Sequence, residues 1–126
     1  MSWSAEDQAS QAQFQGQPCE RPVYLVVSIE NLNRKKSAAY GKALRASKIV
    51  SRHGGEYLAV SPPTLLLEGE WPDDRGFVIE RYPCKLALET MWNSDEYQNN
   101  IKPLRDGSGI YTVALFDKWP PSADLD

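Results

Sequence analysis

The stretch PTLLLEGEWPDDRGFVIE, residues 63–80, decides how the chain is expected to fold. Its three consecutive leucines, residues 65–67, form a continuous apolar run bounded by turn residues, which is typical of a buried strand. Gly69 and the proline–acid cluster behind it predict a turn into a second strand that ends on Glu80. We therefore expect two strands here, with Glu68 and Glu80 at their ends.

The turn between these strands carries a candidate catalytic group made of Glu68, Glu80 and Arg75. Several charges at one strand end cost desolvation free energy that stability alone rarely justifies, so the group favours a small-molecule site. Glu68 taken alone is explained as well by backbone hydrogen bonds or by a pair with Arg75. Trp71 is expected to form a pocket wall or a dimer contact rather than to take part in chemistry.

Outward from this stretch, the chain alternates between strand and helix patterns. The predicted order is strand, helix, strand, strand, helix, strand, with a broken middle strand that takes in both 56–60 and the leucine run. This is an α+β, ferredoxin-like βαββαβ fold with an antiparallel sheet. Three-and-four spacing of apolar residues marks the first helix, and Gly54 is its predicted left-handed cap. Besides residues 63–80, the expected elements are a strand at 22–30, a helix at 33–52, a strand at 56–60, a helix ending at Asn93 and a strand at 110–116.

Length and charge set limits on organisation and partners. The 126 residues predict one domain at 21–118, between a flexible N-terminal tail at 1–20 and a C-terminal tail at 119–126. Trp3 and Phe14 leave open an arm that orders against a partner. A net charge of −3 argues against a nucleic-acid-binding module. No apolar stretch is long enough to span a bilayer, so no membrane partner is expected.

The two cysteines, Cys19 and Cys84, show neither metal-ligand spacing nor the density of a disulfide framework. Together with the missing signal-peptide pattern, they favour a reducing cytoplasm as the location. Cys84 follows a proline at a predicted helix start, where a thiol can become acidic, although a packed, inert cysteine is more common. One histidine and no cysteine pair predict that the chain holds no metal.

The first strand, residues 22–30, is apolar on both faces. Helices are expected to cover one face of the sheet and to leave the other bare. Face-to-face pairing of two sheets would cover it, and we expect a homodimer. Burial contributes about 25 cal/mol per Å² of apolar surface, so a patch of modest area suffices.

Several segments resemble one family in matching order, and together they span about residues 22–116. The family is the domain of unknown function 1330, in the dimeric α+β barrel superfamily. The N-terminal tail, residues 81–84 and Asn93 depart from its usual pattern. The resemblance rests on Tyr40, HGGEYL at 53–58, LEGEWP at 67–72, Arg75, FVIE at 77–80, WNSDEYQ at 92–98 and Arg105.

The resemblance implies a dimeric α+β barrel that binds a small molecule in the cleft between sheet and helices. Superfamily members that do chemistry tend to work without cofactors, as isomerases, cyclases, lyases or monooxygenases. The first hypothesis is such an enzyme on a small carboxylate, enolisable or aromatic substrate. Glu68 or Glu80 would transfer a proton, and Arg75 would hold a carboxylate or enolate. The expected substrate-binding residues are Tyr57, Trp71, Trp92, Tyr97, His53, Tyr40 and Arg105.

Two alternatives remain at this point. The second hypothesis is a non-catalytic homodimer in which the same residues hold only a ligand or a partner. For His53, a favourable contact with the end of the first helix is a better explanation than a functional role. The basic residues of that helix predict a solvated outer face, and attraction of anionic ligands is the alternative.

Overall fold

The structure, a computed structural model, describes residues 13–14, 17–19 and 21–118. The predicted C-terminal tail and most of the predicted N-terminal tail lie outside these residues. The strands are β1 (Gln13–Phe14), β2 (Gln17–Pro18), β3 (Val23–Asn31), β4 (Glu56–Val60), β5 (Arg75–Tyr82) and β6 (Gly109–Phe116). The helices are α1 (Arg34–Ser47), α2 (Ile49–Arg52) and α3 (Lys85–Trp92), followed by a π-helical segment (Glu96–Ile101) and a 3-10 segment (Lys102–Arg105).

Four antiparallel strands form the main sheet in the order β4-β5-β3-β6, which confirms the ferredoxin-like fold. Leu25 of the central strand β3 is paired with Glu80 on one side and with Leu115 on the other. Because side chains alternate along a strand, Val23, Leu25 and Val27 share the face that the helices cover. Val23 and Leu25 are buried there, and the core is built on this face.

The predicted strand at 65–67 is wrong. These residues lie in a loop between Val60 and Arg75, and Leu65 and Leu67 are 71% and 88% exposed. The reason is that β4 already pairs directly with β5, with Val60 opposite Val78. The leucine run therefore has no place between β4 and β5, and an apolar run is a strand only where a neighbouring strand accepts its hydrogen bonds.

The predicted single helix at 33–52 is divided in two. Lys48 adopts a left-handed conformation (φ 56°) that ends α1, and the Ser47 hydroxyl accepts a hydrogen bond of 3.1 Å from the amide of Ile49 at the start of α2. Asn33 caps α1 through a 3.1 Å hydrogen bond from the Lys36 amide. The left-handed conformation predicted for Gly54 is confirmed by its φ of 77°.

The second helical region positions Ser94 and Arg105. The Ser94 hydroxyl accepts a 3.1 Å hydrogen bond from the Tyr97 amide, the capping contact that a serine before an acidic first turn favours. The chain then tightens from the π-helical into the 3-10 segment, and Arg105 is the last residue of the latter. Arg105 therefore returns toward the sheet just before β6 begins.

The cysteines form a disulfide, Cys19–Cys84, with 5.0 Å between their Cα atoms. The expectation of unpaired cysteines, and of a reactive or inert Cys84 thiol, is wrong, because the fold brings together two residues separated by 65 positions. The bond joins the end of the β1–β2 hairpin to the residue that precedes α3. Disulfides are rare in reducing compartments, so the bond counts against the cytoplasmic location, which stays a prediction.

Within the described ranges, no helix combines the length and apolar character needed to cross a membrane.

Candidate functional site

A cavity of about 80 Å³ lies between the inner face of the sheet and the helices. It shares six lining residues with a wider groove of about 510 Å³, so the two spaces adjoin. The shared boundary includes the rings of Tyr40, Tyr57 and Tyr111. The cavity is lined by Leu25, Val27, Ile29, Tyr40, Leu44, Val50, Tyr57, Val78, Glu80, Met91, Trp92, Tyr97, Arg105, Tyr111 and Val113.

Glu80 is the carboxyl group of this cavity, and it is only 5% exposed. Its position on β5 opposite Leu25 turns its side chain toward the helices. The Tyr82 hydroxyl donates a 2.7 Å hydrogen bond to Glu80 Oε1. Burial raises the pKa of the Glu80 carboxyl above its usual 4.5, and the hydrogen bond from Tyr82 opposes this increase. Glu80 is thus a stronger base than an exposed glutamate.

Three further tyrosines, Tyr40, Tyr57 and Tyr97, line the same cavity as Glu80. Tyr40 and Tyr97 lie 2.8 Å apart, oxygen to oxygen, and burial raises the pKa of both. Tyr57 is paired with Glu80 in the sheet register, and burial together with the nearby Glu80 charge raises its pKa to about 12. All three hydroxyls therefore stay protonated near neutral pH. Because Tyr40 and Tyr97 share one hydrogen bond, one of these two hydroxyls and the Tyr57 hydroxyl can donate to a ligand.

Arg105 is the cation of the cavity, and it is 9% exposed. Its guanidinium carbon lies 4.2 Å from the ring centre of Tyr111 and 5.6 Å from that of Tyr40. No ion pair joins Arg105 to Glu80, although both line the same cavity. The cavity thus holds a buried carboxyl group and a buried guanidinium that no ion pair joins.

The structure brings six of the ten predicted site residues to this cavity and leaves four elsewhere. The six are Glu80, Tyr40, Tyr57, Trp92, Tyr97 and Arg105, and the four are Glu68, Arg75, Trp71 and His53. The catalytic and binding roles assigned to these residues stay predictions.

Arg75 and Glu80 occupy opposite ends of β5. Five residues at about 3.4 Å each separate them by about 17 Å, and an odd spacing places them on opposite faces of the sheet. The Arg75 guanidinium lies 5.3 Å from the Trp71 ring centre, and the Trp71 indole donates a 3.3 Å hydrogen bond to the Arg75 carbonyl. Arg75 and Trp71 therefore fix the end of the loop and do not contact the cavity.

Glu68 and His53 also lie away from the cavity. Glu68 is exposed in the loop, because the strand predicted to carry it does not form. His53 Nδ1 lies 2.7 Å from the Ile49 carbonyl oxygen. A carbonyl only accepts, so this nitrogen is the donor, and the contact supports the helix-end explanation of His53.

Sequence reasoning missed two tyrosines of the site, Tyr82 and Tyr111. Tyr82 bonds to Glu80, and Tyr111 lies against Arg105. The signal for Tyr82 was present in the sequence, since residues two apart on a strand share a face. Tyr111 alternates with Val113 and Leu115 in the same way, but the partner it contacts is set only by the tertiary fold.

No group of three or more His, Cys, Asp or Glu side chains lies together as a metal site among the residues that the structure describes.

The comparisons with solved structures support the fold. A protein of unknown function from Rhodopseudomonas palustris matches with a TM-score of 0.57 at 17% identity, over 95% of this chain and 97% of that one. SnoaB, a cofactor-independent oxygenase from Streptomyces nogalater, matches with a TM-score of 0.58 at 12% identity, over 82% of this chain and 98% of that one. A conserved protein from Methanosarcina mazei Go1 matches with a TM-score of 0.55 at 14% identity, over 88% and 99%.

These identities show likeness of fold alone. No functionally curated protein matches the chain. The family described as Domain of unknown function (DUF1330) matches residues 22–119, which is most of the chain, and the chain therefore belongs to that family.

Proposed function

We propose that the protein is a cofactor-independent enzyme that moves a proton on a small organic substrate bound in the cavity. The observation that carries this proposal is Glu80, a buried carboxyl group that lines the cavity. Burial raises the pKa of Glu80 above 4.5, toward the range in which a general base or acid works best. Perturbed carboxyl groups in concave sites are common among catalytic residues.

The reaction class is isomerisation through an enolate. The Glu80 carboxylate accepts a proton from a carbon next to a carbonyl group, and the C–H electron pair forms the enolate. The protonated Glu80 then returns the proton to a different atom, so no oxidant or reductant is consumed. In this proposal Tyr57 donates a hydrogen bond to the enolate oxygen, where charge develops, and Tyr40 does the same when its bond to Tyr97 is donated by the Tyr97 hydroxyl.

The fold supports this proposal by analogy, since SnoaB is itself a cofactor-independent enzyme. Its reaction, an oxygenation, is not carried over to this chain. The cavity of this chain supplies a proton acceptor, hydroxyl donors and apolar walls, and isomerisation needs no more than these.

We also propose that the working unit is a homodimer paired through the outer sheet face. On that face, Val26 is paired with Ile79 and Ala114, and these apolar residues lie opposite the helix-covered side. Ile110 and Phe116 of β6 are 57% and 55% exposed in the single chain. Apolar side chains grouped on one face mark a protein interaction surface.

Proton transfer is tested by exchange of the C3 protons of 2-oxobutanoate in D2O, followed by ¹H NMR. Wild-type protein is expected to accelerate exchange, and Glu80→Gln is expected to reduce the rate by about 10²-fold or more. The matched control is Glu89→Gln, an exposed glutamate on α3 whose loss should leave the rate unchanged.

The exchange rate should also increase with pH as Glu80 loses its proton, with a midpoint above 4.5. Equal rates in wild type and Glu80→Gln would contradict the enzymatic proposal. Binding of 2-oxobutanoate with no exchange would instead favour the non-catalytic binding dimer.

A further inference from the structure

Arg105 has no acceptor for its guanidinium. It is nine-tenths buried, yet no hydrogen bond or ion pair joins it to another residue in the described part of the chain. A buried charge is normally neutralised by a partner, because removing it from water is costly. Arg105 lines the cavity, so the missing partner belongs in that space.

Two tyrosine rings hold the guanidinium in place. The Tyr111 ring lies 4.2 Å from the guanidinium carbon, and the Tyr111 hydroxyl is fixed by a 2.8 Å hydrogen bond with the Ser108 hydroxyl. Tyr40 lies on the guanidinium at 5.6 Å, with its own hydroxyl bonded to Tyr97. Contacts of this kind engage the charge without using its N–H donors. The donors remain available to a planar anion, which arginine binds through two parallel hydrogen bonds.

The size of the cavity limits what the anion can carry. An engineered cavity of about 150 Å³ in a protein interior holds one benzene molecule. At about 80 Å³, this cavity holds a carboxylate and a few further atoms, and an aromatic ring does not fit beside them. The remainder of a longer molecule would lie in the adjoining groove of about 510 Å³.

We propose that the substrate class is the aliphatic 2-oxo acids, bound with the carboxylate on Arg105 and the alkyl chain directed toward the groove. This inference rests on the proposed function for the position of the reacting carbon beside Glu80, but the carboxylate site itself does not depend on catalysis. Arg105 is the residue that selects the acid, and Tyr111 is a positioning residue that acts through it.

The test compares binding of 2-oxobutanoate with that of its uncharged amide, 2-oxobutanamide, by ligand-observed NMR titration. The acid is expected to bind at least about tenfold more tightly, since a charge-assisted hydrogen bond contributes more than one factor of ten. Arg105→Met should weaken binding of the acid by at least about tenfold and leave binding of the amide unchanged. The control Lys42→Met removes an exposed charge from α1 and should change neither.

A second variant guards against loss of folding in Arg105→Met. Arg105→Lys keeps the charge but removes the planar pair of donors, so the acid should bind more weakly than to wild type and more tightly than to Arg105→Met. Tyr111→Phe keeps the ring but loses the hydrogen bond to Ser108. This variant should bind the acid more weakly than wild type and the amide equally well. The unliganded melting temperature of each variant reports its folding.

The length of the alkyl chain of the acid tests the orientation in which the acid binds. If the tail lies in the groove, 2-oxooctanoate should bind more tightly than 2-oxobutanoate, because it buries more apolar surface. Weaker binding of the longer acid would overturn the head-first orientation.

Three results would overturn the carboxylate site: no binding of the acids to wild type, equal binding of acid and amide, or wild-type affinity in a folded Arg105→Met. Failure of the proposed function looks different, because the acid would then bind while wild type and Glu80→Gln exchange protons at the same rate.

Discussion

Burial of Glu80 lowers the stability of the folded chain at higher pH, although the same burial makes the carboxylate a stronger base. Its burial makes the charged form unfavourable, and the single hydrogen bond from Tyr82 compensates only in part. A group whose native pKa is raised binds its proton more tightly in the folded chain than in the unfolded chain. The folded state therefore loses stability as pH rises from 4.5 through the raised pKa of Glu80.

We predict that Glu80→Gln removes this pH dependence, because the amide does not ionise. The variant should gain stability relative to wild type between pH 5 and pH 8, by about 1.4 kcal/mol for each unit by which burial raises the pKa. Denaturant unfolding at both pH values measures the difference. If both proteins lose stability in parallel over this range, Glu80 is not the group responsible.

At the scale of elements, the turn between α2 and β4 positions the Tyr82 ring through one close contact with Gly55. Gly55 passes the Tyr82 ring so closely that a Cβ atom there would lie 2.6 Å from Tyr82 Cε1 and 2.8 Å from Val50 Cγ1. The absent side chain lets Tyr82 stay beside Glu80. A glycine is required here by packing, in contrast to Gly54, whose φ of 77° requires it for the backbone.

We predict that Gly55→Ala lowers the free energy of unfolding by about 1–3 kcal/mol, since an added methyl group overpacks a buried site. The same change at Gly41 in α1 is the control. There the added atom meets only the flexible end of Arg45, and replacing a helical glycine should stabilise by up to about 1 kcal/mol. Urea unfolding of both variants measures whether each change lowers or raises the free energy of unfolding. A stabilised Gly55→Ala would show that Tyr82 can move aside.

At the scale of the whole molecule, two connections reach beyond the βαββαβ unit. The Cys19–Cys84 bond attaches the N-terminal hairpin to α3 and closes a loop of 65 residues. The outer sheet face leaves apolar residues of β6 exposed. The first connection is covalent within one chain, and the second is proposed to require another copy.

We predict that Cys19→Ser/Cys84→Ser lowers the unfolding free energy by about 4 kcal/mol at most, because the unfolded chain regains the entropy of an open loop of this length. Thermal unfolding without reductant measures the loss. Thiol titration of denatured, unreduced wild type is the accompanying control. Two free thiols per chain in that control would contradict the disulfide.

For the assembly, we predict a mass about twice 14.2 kDa by light scattering at micromolar concentration. Phe116→Arg should yield the monomer, since a charge in a closed apolar interface is left without a partner. Leu86→Arg, at an exposed leucine of α3, is the matched control and should remain a dimer. A monomeric wild type, or a dimeric Phe116→Arg, would exclude pairing through this face.

The sequence by itself determined the order of the helices and strands outside the leucine run, because apolar periodicity and turn residues are local properties of the chain. The cap at Ser94 and the left-handed Gly54 were predictable for the same reason. It also named six of the residues that line the cavity, partly through resemblance to a family.

Only the tertiary structure decided which charges meet. The alternation of β5 separates Arg75 from Glu80, and the pairing of β4 with β5 leaves Glu68 in an exposed loop. Arg105 reaches the cavity because the 3-10 segment brings it back against Tyr111, a contact that local spacing does not encode. The same holds for Cys19 and Cys84, since proximity across 65 residues is a property of the packed chain.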